Sequence, residues 1–106
     1  MNAIYLRSSV RQYTDEPVDI RDIEKLMRAA MAAPSAVNQQ PWEFYIARDE
    51  TTRLALAASS PYGTPAKLAP CVIVACQRTE SLRAPQDAPY DMSASVANIL
   101  IEAANL

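Results

Sequence analysis

The 106-residue sequence contains no histidine, and this absence disfavours several classes of enzyme at once. Histidine is a frequent general base and metal ligand, and it activates the serine or cysteine of nucleophilic triads. We therefore expect neither a triad hydrolase nor a metal centre, and we assign no side chain as a catalytic acid or base.

Glycine is almost as scarce, since Gly63 is the only one in the sequence. The P-loop and the dinucleotide-binding fingerprint each need several glycines so that the backbone can wrap a phosphate. Any phosphate group bound by this protein must therefore be held by side chains.

The two cysteines, Cys71 and Cys76, lie five positions apart in one apolar segment. In a strand, that separation places their side chains on opposite faces, which excludes a C-x-x-C redox pair or a metal clip. We expect buried, reduced thiols, and a reactive cysteine is the alternative.

Charge and hydropathy exclude further partners. Half of the residues are apolar, the net charge is −2, and no apolar run has the length of a membrane span. These features predict one globular domain over residues 1–106 in the cytoplasm, with no nucleic-acid or membrane partner.

Periodic apolar positions predict helices and two strands. The predicted elements are a helix over Ala3–Leu6 capped by Asn2, a helix from the N-cap Asp19 to Met31, a strand over Trp42–Arg48, a helix from Asp49, a strand over Cys71–Ala75, a surface loop over Thr79–Pro89 and a helix from Tyr90. The continuous apolar run of the second strand is typical of a strand covered on both faces at the centre of a sheet. The last helix carries one apolar stripe, formed by Met92, Val96, Ile99, Leu100 and Ala103.

Between the second helix and the first strand lies the segment Ala33–Trp42, which has polar amides and two prolines where a core segment has neither. Pro34 ends the helical pattern, and Pro41 precedes the strand. The uncharged hydrogen-bonding groups between them belong to Ser35, Asn38, Gln39 and Gln40. A rigid scaffold on both sides would aim these groups at a flat heterocycle, although the same residues also suit an ordinary turn.

Two arginines, Arg7 and Arg11, lie four positions apart with Ser8 and Ser9 between them. At helical spacing the two guanidiniums face one way and can bind an anion through paired N–H groups. The alternative is a solvated surface with two ordinary charges.

Together, three segments in this order resemble the nitroreductase family, whose members are FMN-dependent NAD(P)H oxidoreductases. They are RSSVR at Arg7–Arg11, APSAVNQQPW at Ala33–Trp42 and DMSASVAN at Asp91–Asn98. The resemblance implies an α+β fold with helices packed on a central sheet, and a homodimer with FMN at its interface. It also implies hydride transfer from NAD(P)H through the flavin to a nitroaromatic, quinone or similar small-molecule acceptor. Flavin chemistry needs no acid or base from the protein, which agrees with the missing histidine.

The resemblance further implies which residues bind FMN. The segment along the phosphate, ribityl chain and pyrimidine corresponds to Arg7, Ser8, Ser9 and Arg11. The segment that reaches the same flavin from the partner subunit corresponds to Pro34, Ser35, Ala36, Asn38 and Gln40. Arg11 is then the candidate cation for the negative charge that develops near flavin N1 and O2.

Alternatives to this function stay open. The same fold also supports reductive dehalogenation and flavin destruction, and a flavin-free partner subunit or folding fragment would act only through association of its apolar helices. The family domain continues beyond the last helix with a glycine-rich turn, another core strand and a basic group for the phosphate. We therefore expect that the natural polypeptide extends past Leu106 or that another chain completes the fold.

Overall fold

The structure of this protein is a computed structural model that describes residues 2–106. Among these residues there are four α-helices and two β-strands. They are α1 (Ala3–Leu6), α2 (Ile20–Met31), β1 (Trp42–Ala47), α3 (Glu50–Ala58), β2 (Val72–Gln77) and α4 (Ala88–Asn105). Single turns of 3₁₀-helix lie at Ala36–Asn38, Thr64–Lys67 and Pro85–Asp87. Helices together with a sheet confirm the predicted α+β class.

The two strands form one sheet. The backbone N–H of Arg78, just after β2, donates to the carbonyl of Pro41, just before β1, at 2.8 Å. The strands therefore run antiparallel. Among the described residues β1 is the single neighbour of β2, and every β2 side chain is half-buried or exposed. The central position expected for the second strand is not seen among these residues and stays a prediction.

The chain forms two compact units, and each has its own packing. The first contains the chain up to Ser8, Ile20–Glu43 and Ala75–Leu106. The second contains Ser9–Asp19 and Phe44–Val74. Helices α1, α2 and α4 therefore belong to the first unit, and α3 belongs to the second.

In the first unit, α4 packs against both α2 and α1. Ile23 and Ala30 are the buried residues of α2. Two polar side chains of α4 reach carbonyls in the last turn of α2, since Ser95 Oγ donates to Ala30 O at 2.9 Å and Asn98 Nδ2 donates to Ala29 O at 3.0 Å. The same two carbonyls also accept from the backbone N–H groups of Ala32 at 3.2 Å and Ala33 at 3.3 Å, so backbone and side-chain donors together fix the end of α2.

The buried face of α4 differs from the predicted apolar stripe. Its buried residues are Ala88, Asp91, Ser95 and Ile99. By contrast, Leu100 is 48% exposed, and Ala103 is exposed as well. Part of the apolar stripe is therefore uncovered among the described residues, while the hydrogen bonds of Asp91 and Ser95 lie on the buried face.

Local signals explain where α1 and α4 begin. Asn2 Oδ1 accepts from the backbone N–H of Ile4 at 3.0 Å, which confirms the predicted cap of α1. Helix α4 begins at Ala88, so Pro89 lies in its first turn and not in the preceding loop. Proline fits there because the first N–H groups of a helix have no partner within it. No helix within residues 2–106 is both long and apolar enough to cross a bilayer.

In the second unit, α3 begins at Glu50, one residue after the predicted start, and Asp49 is its N-cap. Asp49 Oδ2 accepts from the backbone N–H of Thr52 at 2.8 Å, and hydrogen bonding with Thr52 lowers the pKa of Asp49. The turn Thr64–Lys67 packs against α3. A Cβ on Gly63 would lie 2.4 Å from the carbonyl oxygen of Ala57. Because Gly63 has no Cβ, its backbone can lie close to the backbone of Ala57 at the end of α3.

Candidate functional site

The carboxamide loop, residues 33–42, connects α2 to β1 in the place that the sequence predicted. Helix α2 ends at Met31, before Pro34, and β1 begins at Trp42, directly after the buried Pro41. The indole Nε1 of Trp42 donates to the sulfur of Met31 at 3.2 Å. The end of the helix and the start of the strand are therefore joined directly, and the residues between them form a closed loop.

Three residues of the loop adopt left-handed backbone conformations without being glycine. Their φ angles are 47° at Val37, 53° at Asn38 and 48° at Gln40. Asparagine tolerates this region, whereas a β-branched residue such as valine is strained there, at a cost on the order of 1–3 kcal/mol. Such a conformation persists only when surrounding contacts hold it.

Asp91, in the first turn of α4, supplies the central contact of this kind. Its Oδ1 accepts from the backbone N–H of Ala36 at 2.9 Å, and its Oδ2 accepts from Gln39 Nε2 at 2.8 Å. The carboxyl group is buried, with 6% of the residue exposed. The positive end of the α4 dipole stabilises a negative charge at this position.

Gln39 links the loop to the segment that precedes α4. Its Nε2 also donates to Ala84 O at 2.8 Å, and its Oε1 accepts from Ala84 N at 3.0 Å. Its own carbonyl accepts from Arg78 Nη2 at 2.9 Å. The carboxamide of Gln39 therefore uses both donor hydrogens and its acceptor inside the protein, so it is not available to a ligand.

Ser35 adds a contact within the loop. Its Oγ accepts from the backbone N–H of Gln40 at 3.0 Å. Within residues 2–106 the hydroxyl hydrogen has no acceptor, and it can donate to a ligand because the bond from Gln40 uses only a lone pair. Ser35 thus shapes the loop and still carries a polar group for a ligand.

Asn38 and Gln40 are left with unused side chains. Both residues are exposed, and neither side chain hydrogen-bonds to any other part of residues 2–106. Of the three carboxamides in the loop, that of Gln39 points inward, whereas those of Asn38 and Gln40 are available to a ligand. Pro34 is exposed and Ala36 half-buried, with the N–H of Ala36 already committed to Asp91.

The arginine segment, residues 7–11, is organised differently. Arg7 follows α1 with extended backbone angles, φ −60° and ψ 131°, so the helix does not continue through it. The prediction that helical spacing aligns Arg7 with Arg11 is therefore wrong. Arg7 and Ser8 belong to the first unit, Ser9 and Arg11 belong to the second, and all four are exposed. Arg11 Nη1 donates to Ser9 O at 3.3 Å.

Sequence reasoning did not find the residues that hold the loop, which are Asp91, Gln39 and Arg78. In the sequence, Asp91 stands out only as the first residue of the DMSASVAN segment. One signal was present, because Asp91 lies four positions before Ser95 and eight before Ile99 on the face that α4 buries. A carboxylate at that spacing in an apolar helix indicates a buried polar contact.

The second unit contains a cleft of about 300 Å³. Its lining residues are Asp15, Pro17, Val18, Arg48, Arg53, Leu68 and Pro70. Arg48 Nη2 donates to Val18 O at 2.9 Å, and Arg53 donates to the carbonyls of Arg48 and Ala69. These bonds tie separate stretches of the unit together, so we interpret the arginines as structural.

Of the two cysteines, Cys71 belongs to the second unit and lies near these arginines. Both are free and half-buried, and Cys71 precedes β2, so the two do not share one strand as predicted. Burial raises the pKa of Cys71, while the guanidiniums of Arg48 and Arg53 act in the opposite direction. A raised pKa keeps the thiol protonated at neutral pH, which disfavours the reactive alternative for Cys71.

Comparison with known proteins gives consistent matches. A family model described as the nitroreductase family matches residues 4–98. A protein of Archaeoglobus fulgidus, provisionally named NADH dehydrogenase/NAD(P)H nitroreductase, is 38% identical over 104 residues, which are 97% of this chain and 60% of that protein.

Solved structures are similar over the same extent. A provisionally named NADH oxidase of Clostridium acetobutylicum has a TM-score of 0.92 and 42% identity, covering 95% of this chain and 61% of the other. A provisionally named nitroreductase of Desulfovibrio desulfuricans, crystallised in complex with FMN, has a TM-score of 0.89 and 32% identity, covering 95% of this chain and 59% of the other. The chain thus spans about 60% of the length of these relatives.

Proposed function

This chain belongs to the nitroreductase family, and on that premise we propose that the protein is an FMN-dependent oxidoreductase. It uses NADH or NADPH to reduce a nitroaromatic, quinone or similar small-molecule acceptor. The family membership confirms the resemblance drawn from the three motifs. Residues 1–106 are proposed to form the N-terminal portion of the nitroreductase-like domain.

One structural observation carries the proposal most directly. The carboxamide loop is held rigidly from inside, yet it leaves the side chains of Asn38 and Gln40 unused among the described residues. Neutral amides can hydrogen-bond to the edge of a flat heterocycle without burying a charge against it. The donor set therefore fits the ring system of a flavin.

The arginine segment supplies the complementary chemistry. Arg7, Ser8 and Ser9 are proposed to hold the phosphate and ribityl chain of FMN, since guanidiniums bind phosphate through paired N–H groups and no glycine-rich loop is present. Arg11 is proposed to lie at the pyrimidine side, where a fixed cation stabilises negative charge. Bound FMN supplies hydride and electron transfer, and the protein supplies binding, orientation and electrostatics.

The proposed assembly is a homodimer in which each carboxamide loop contacts the flavin held by the partner subunit. Under this arrangement Pro34, Ser35 and Ala36 contribute contact surface beside Asn38 and Gln40. The two subunits then share each site, so a change in one loop alters the flavin bound mainly to the other subunit.

The test is to purify the full-length protein, record its absorption spectrum, release any ligand by heat and compare it with FMN, FAD and riboflavin standards. We expect one FMN per subunit and oxidation of NADH or NADPH that depends on an added nitroaromatic or quinone. Release of FAD, or no flavin in a folded preparation, would contradict the proposal. Bound FMN without turnover of these acceptors would favour another reaction of the same fold.

A further inference from the structure

We propose that Asp91 is a positioning residue for the flavin site. It acts through Gln39 and the N–H of Ala36 to fix the direction of Asn38 and Gln40, and thereby the affinity for the isoalloxazine ring. The inference rests on the proposed function, because it concerns the ligand that this loop would hold. Its geometric basis lies entirely within the first unit.

The Asp91 carboxylate spans the strained part of the loop. Its two oxygens bond to Ala36 at 2.9 Å and to Gln39 at 2.8 Å, on either side of the left-handed Val37 and Asn38. If these two anchors were released, the backbone between them would relax toward conformations that valine prefers. Asn38 would then lose its direction, although its own side chain forms no hydrogen bond within the described residues.

Only a carboxylate fits between these two groups. Both oxygens of Asp91 accept from N–H donors, and Gln39 Nε2 cannot turn away without losing its bond to Ala84 O at 2.8 Å. An asparagine at position 91 would direct its NH₂ group at one of the two donors. The residue is 6% exposed, so water has little access to compensate for the lost bond.

Ser95 provides a matched control on the same helix face. It is buried one turn after Asp91, and its Oγ donates to Ala30 O at 2.9 Å, away from the carboxamide loop. If Asp91 only supported the fold, Asp91→Asn and Ser95→Ala would have the same kind of effect. Both would lower the free energy of unfolding and leave the FMN affinity of the folded protein unchanged.

The experiment measures FMN affinity and stability separately in the full-length protein. Apo-protein is titrated with FMN by flavin fluorescence at a temperature where unfolding curves show each variant to be folded. We expect Asp91→Asn to raise the Kd for FMN by about tenfold or more, as loss of a charge-assisted hydrogen bond does. We expect Ser95→Ala to leave the Kd within about twofold of the wild type.

A donor–acceptor exchange sharpens the test. Gln39→Glu places a carboxylate oxygen against both Asp91 and Ala84 O, the two acceptors of Gln39 Nε2, and weakens FMN binding. The contact with Ala84 O stays unfavourable when Asp91→Asn is added, so rescue is expected to be partial. When Gln39→Glu is combined with Asp91→Asn, the new carboxamide at position 91 can donate to the new carboxylate at position 39. We expect the double variant to bind FMN more tightly than the product of the two single effects predicts. If the effect of the double variant on the Kd equals the product of the two single effects, the proposed coupling of Asp91 with Gln39 is overturned.

The remaining outcomes are distinct from one another. A folded wild type that binds no FMN overturns the proposed function and this inference with it. A wild type that binds FMN while Asp91→Asn stays within twofold overturns the inference alone. If Asp91→Asn does not fold, Gln39→Ala gives the same comparison, since it removes the side-chain bonds to Asp91 and Ala84. An unchanged Kd in that variant counts equally against the inference.

Discussion

The carboxamide loop and the arginine segment both carry proposed flavin contacts, but the described residues hold them to very different degrees. The loop is tied by a buried carboxylate, a fully bonded glutamine and a serine hydroxyl. The arginine segment is exposed throughout, and the contacts within and beside it include the bond from Arg11 to Ser9 O and one from Tyr13 Oη to Val10 O at 3.0 Å.

This difference predicts two kinds of binding behaviour. The backbone that carries the loop's free amides is held by the protein before a ligand arrives, so binding loses little backbone entropy there. Exposed arginine side chains keep many rotamers, and they become ordered only when an anion engages them. The loop is therefore expected to orient the ligand, whereas the arginines provide attraction.

The largest expected effect on FMN affinity comes from removing the positive charges that attract the ligand. Arg7→Ala and Arg11→Ala should each weaken FMN binding by more than about tenfold, since a charge-assisted hydrogen bond contributes on the order of 1.5–3 kcal/mol. The melting temperature of the apo-protein should hardly change, because both side chains are exposed. Titrations with FMN and with riboflavin measure the effect.

The comparison of ligands identifies which arginine holds the phosphate. Riboflavin lacks that group, so its Kd should respond less to the variant of the phosphate-binding residue. Lys25→Ala serves as a control, since it also removes one exposed cation, on α2. If both arginine variants bind FMN within twofold of the wild type, the arginines are ordinary surface charges.

The next effect tests the loop across the proposed dimer. Asn38→Ala should weaken FMN retention, because it removes a carboxamide that makes no hydrogen bond within the described part of the chain. Since Asn38 has φ 53° and alanine tolerates left-handed geometry less well than asparagine, the change should also lower the free energy of unfolding by roughly 1 kcal/mol, so the titration is run where the variant is folded. Mixed dimers with Arg11→Ala in one chain and Asn38→Ala in the other should retain about half of the wild-type activity, since one shared site receives both changes and the other receives neither. Two equally impaired sites would show that each flavin is held within one chain.

What the sequence predicted correctly depends on short-range chemistry. The caps at Asn2 and Asp49 bond to N–H groups two and three positions away. The ends of the carboxamide loop follow from Pro34 and Pro41 in the same way, since proline restricts its immediate neighbours. Such signals are complete within a few residues, so they can be recognised without the fold.

The contacts that the sequence did not predict join residues far apart in the chain, which only the fold brings together. Asp91 and Gln39 lie 52 positions apart, and Gln39 and Ala84 lie 45 apart. Four polar residues made the loop a candidate, but nothing local distinguished the inward Gln39 from the outward Asn38 and Gln40. The helical alignment of Arg7 with Arg11 failed for the opposite reason, because a spacing of four has that meaning only inside a helix.

The smallest expected effect concerns Val37, and it tests whether the loop stores strain that the arginine segment lacks. Val37 has φ 47° and is 54% exposed, so among the described residues it has little packing to offset the strain. Val37→Asn should therefore raise the free energy of unfolding by roughly 1 kcal/mol, because asparagine tolerates left-handed geometry. Thermal unfolding of the apo-protein should show this as a rise of a few degrees in Tm.

Val10→Asn is the matched control for Val37→Asn, because Val10 lies in the arginine segment, is 59% exposed and has no positive φ. The same change of side chain should give no increase in stability there. If Val37→Asn does not stabilise the protein, the strain at Val37 must be offset by a contact of its side chain outside the described residues. Repeating both measurements with saturating FMN would then show whether the flavin provides that contact, since bound ligand would stabilise the wild type more than Val37→Asn.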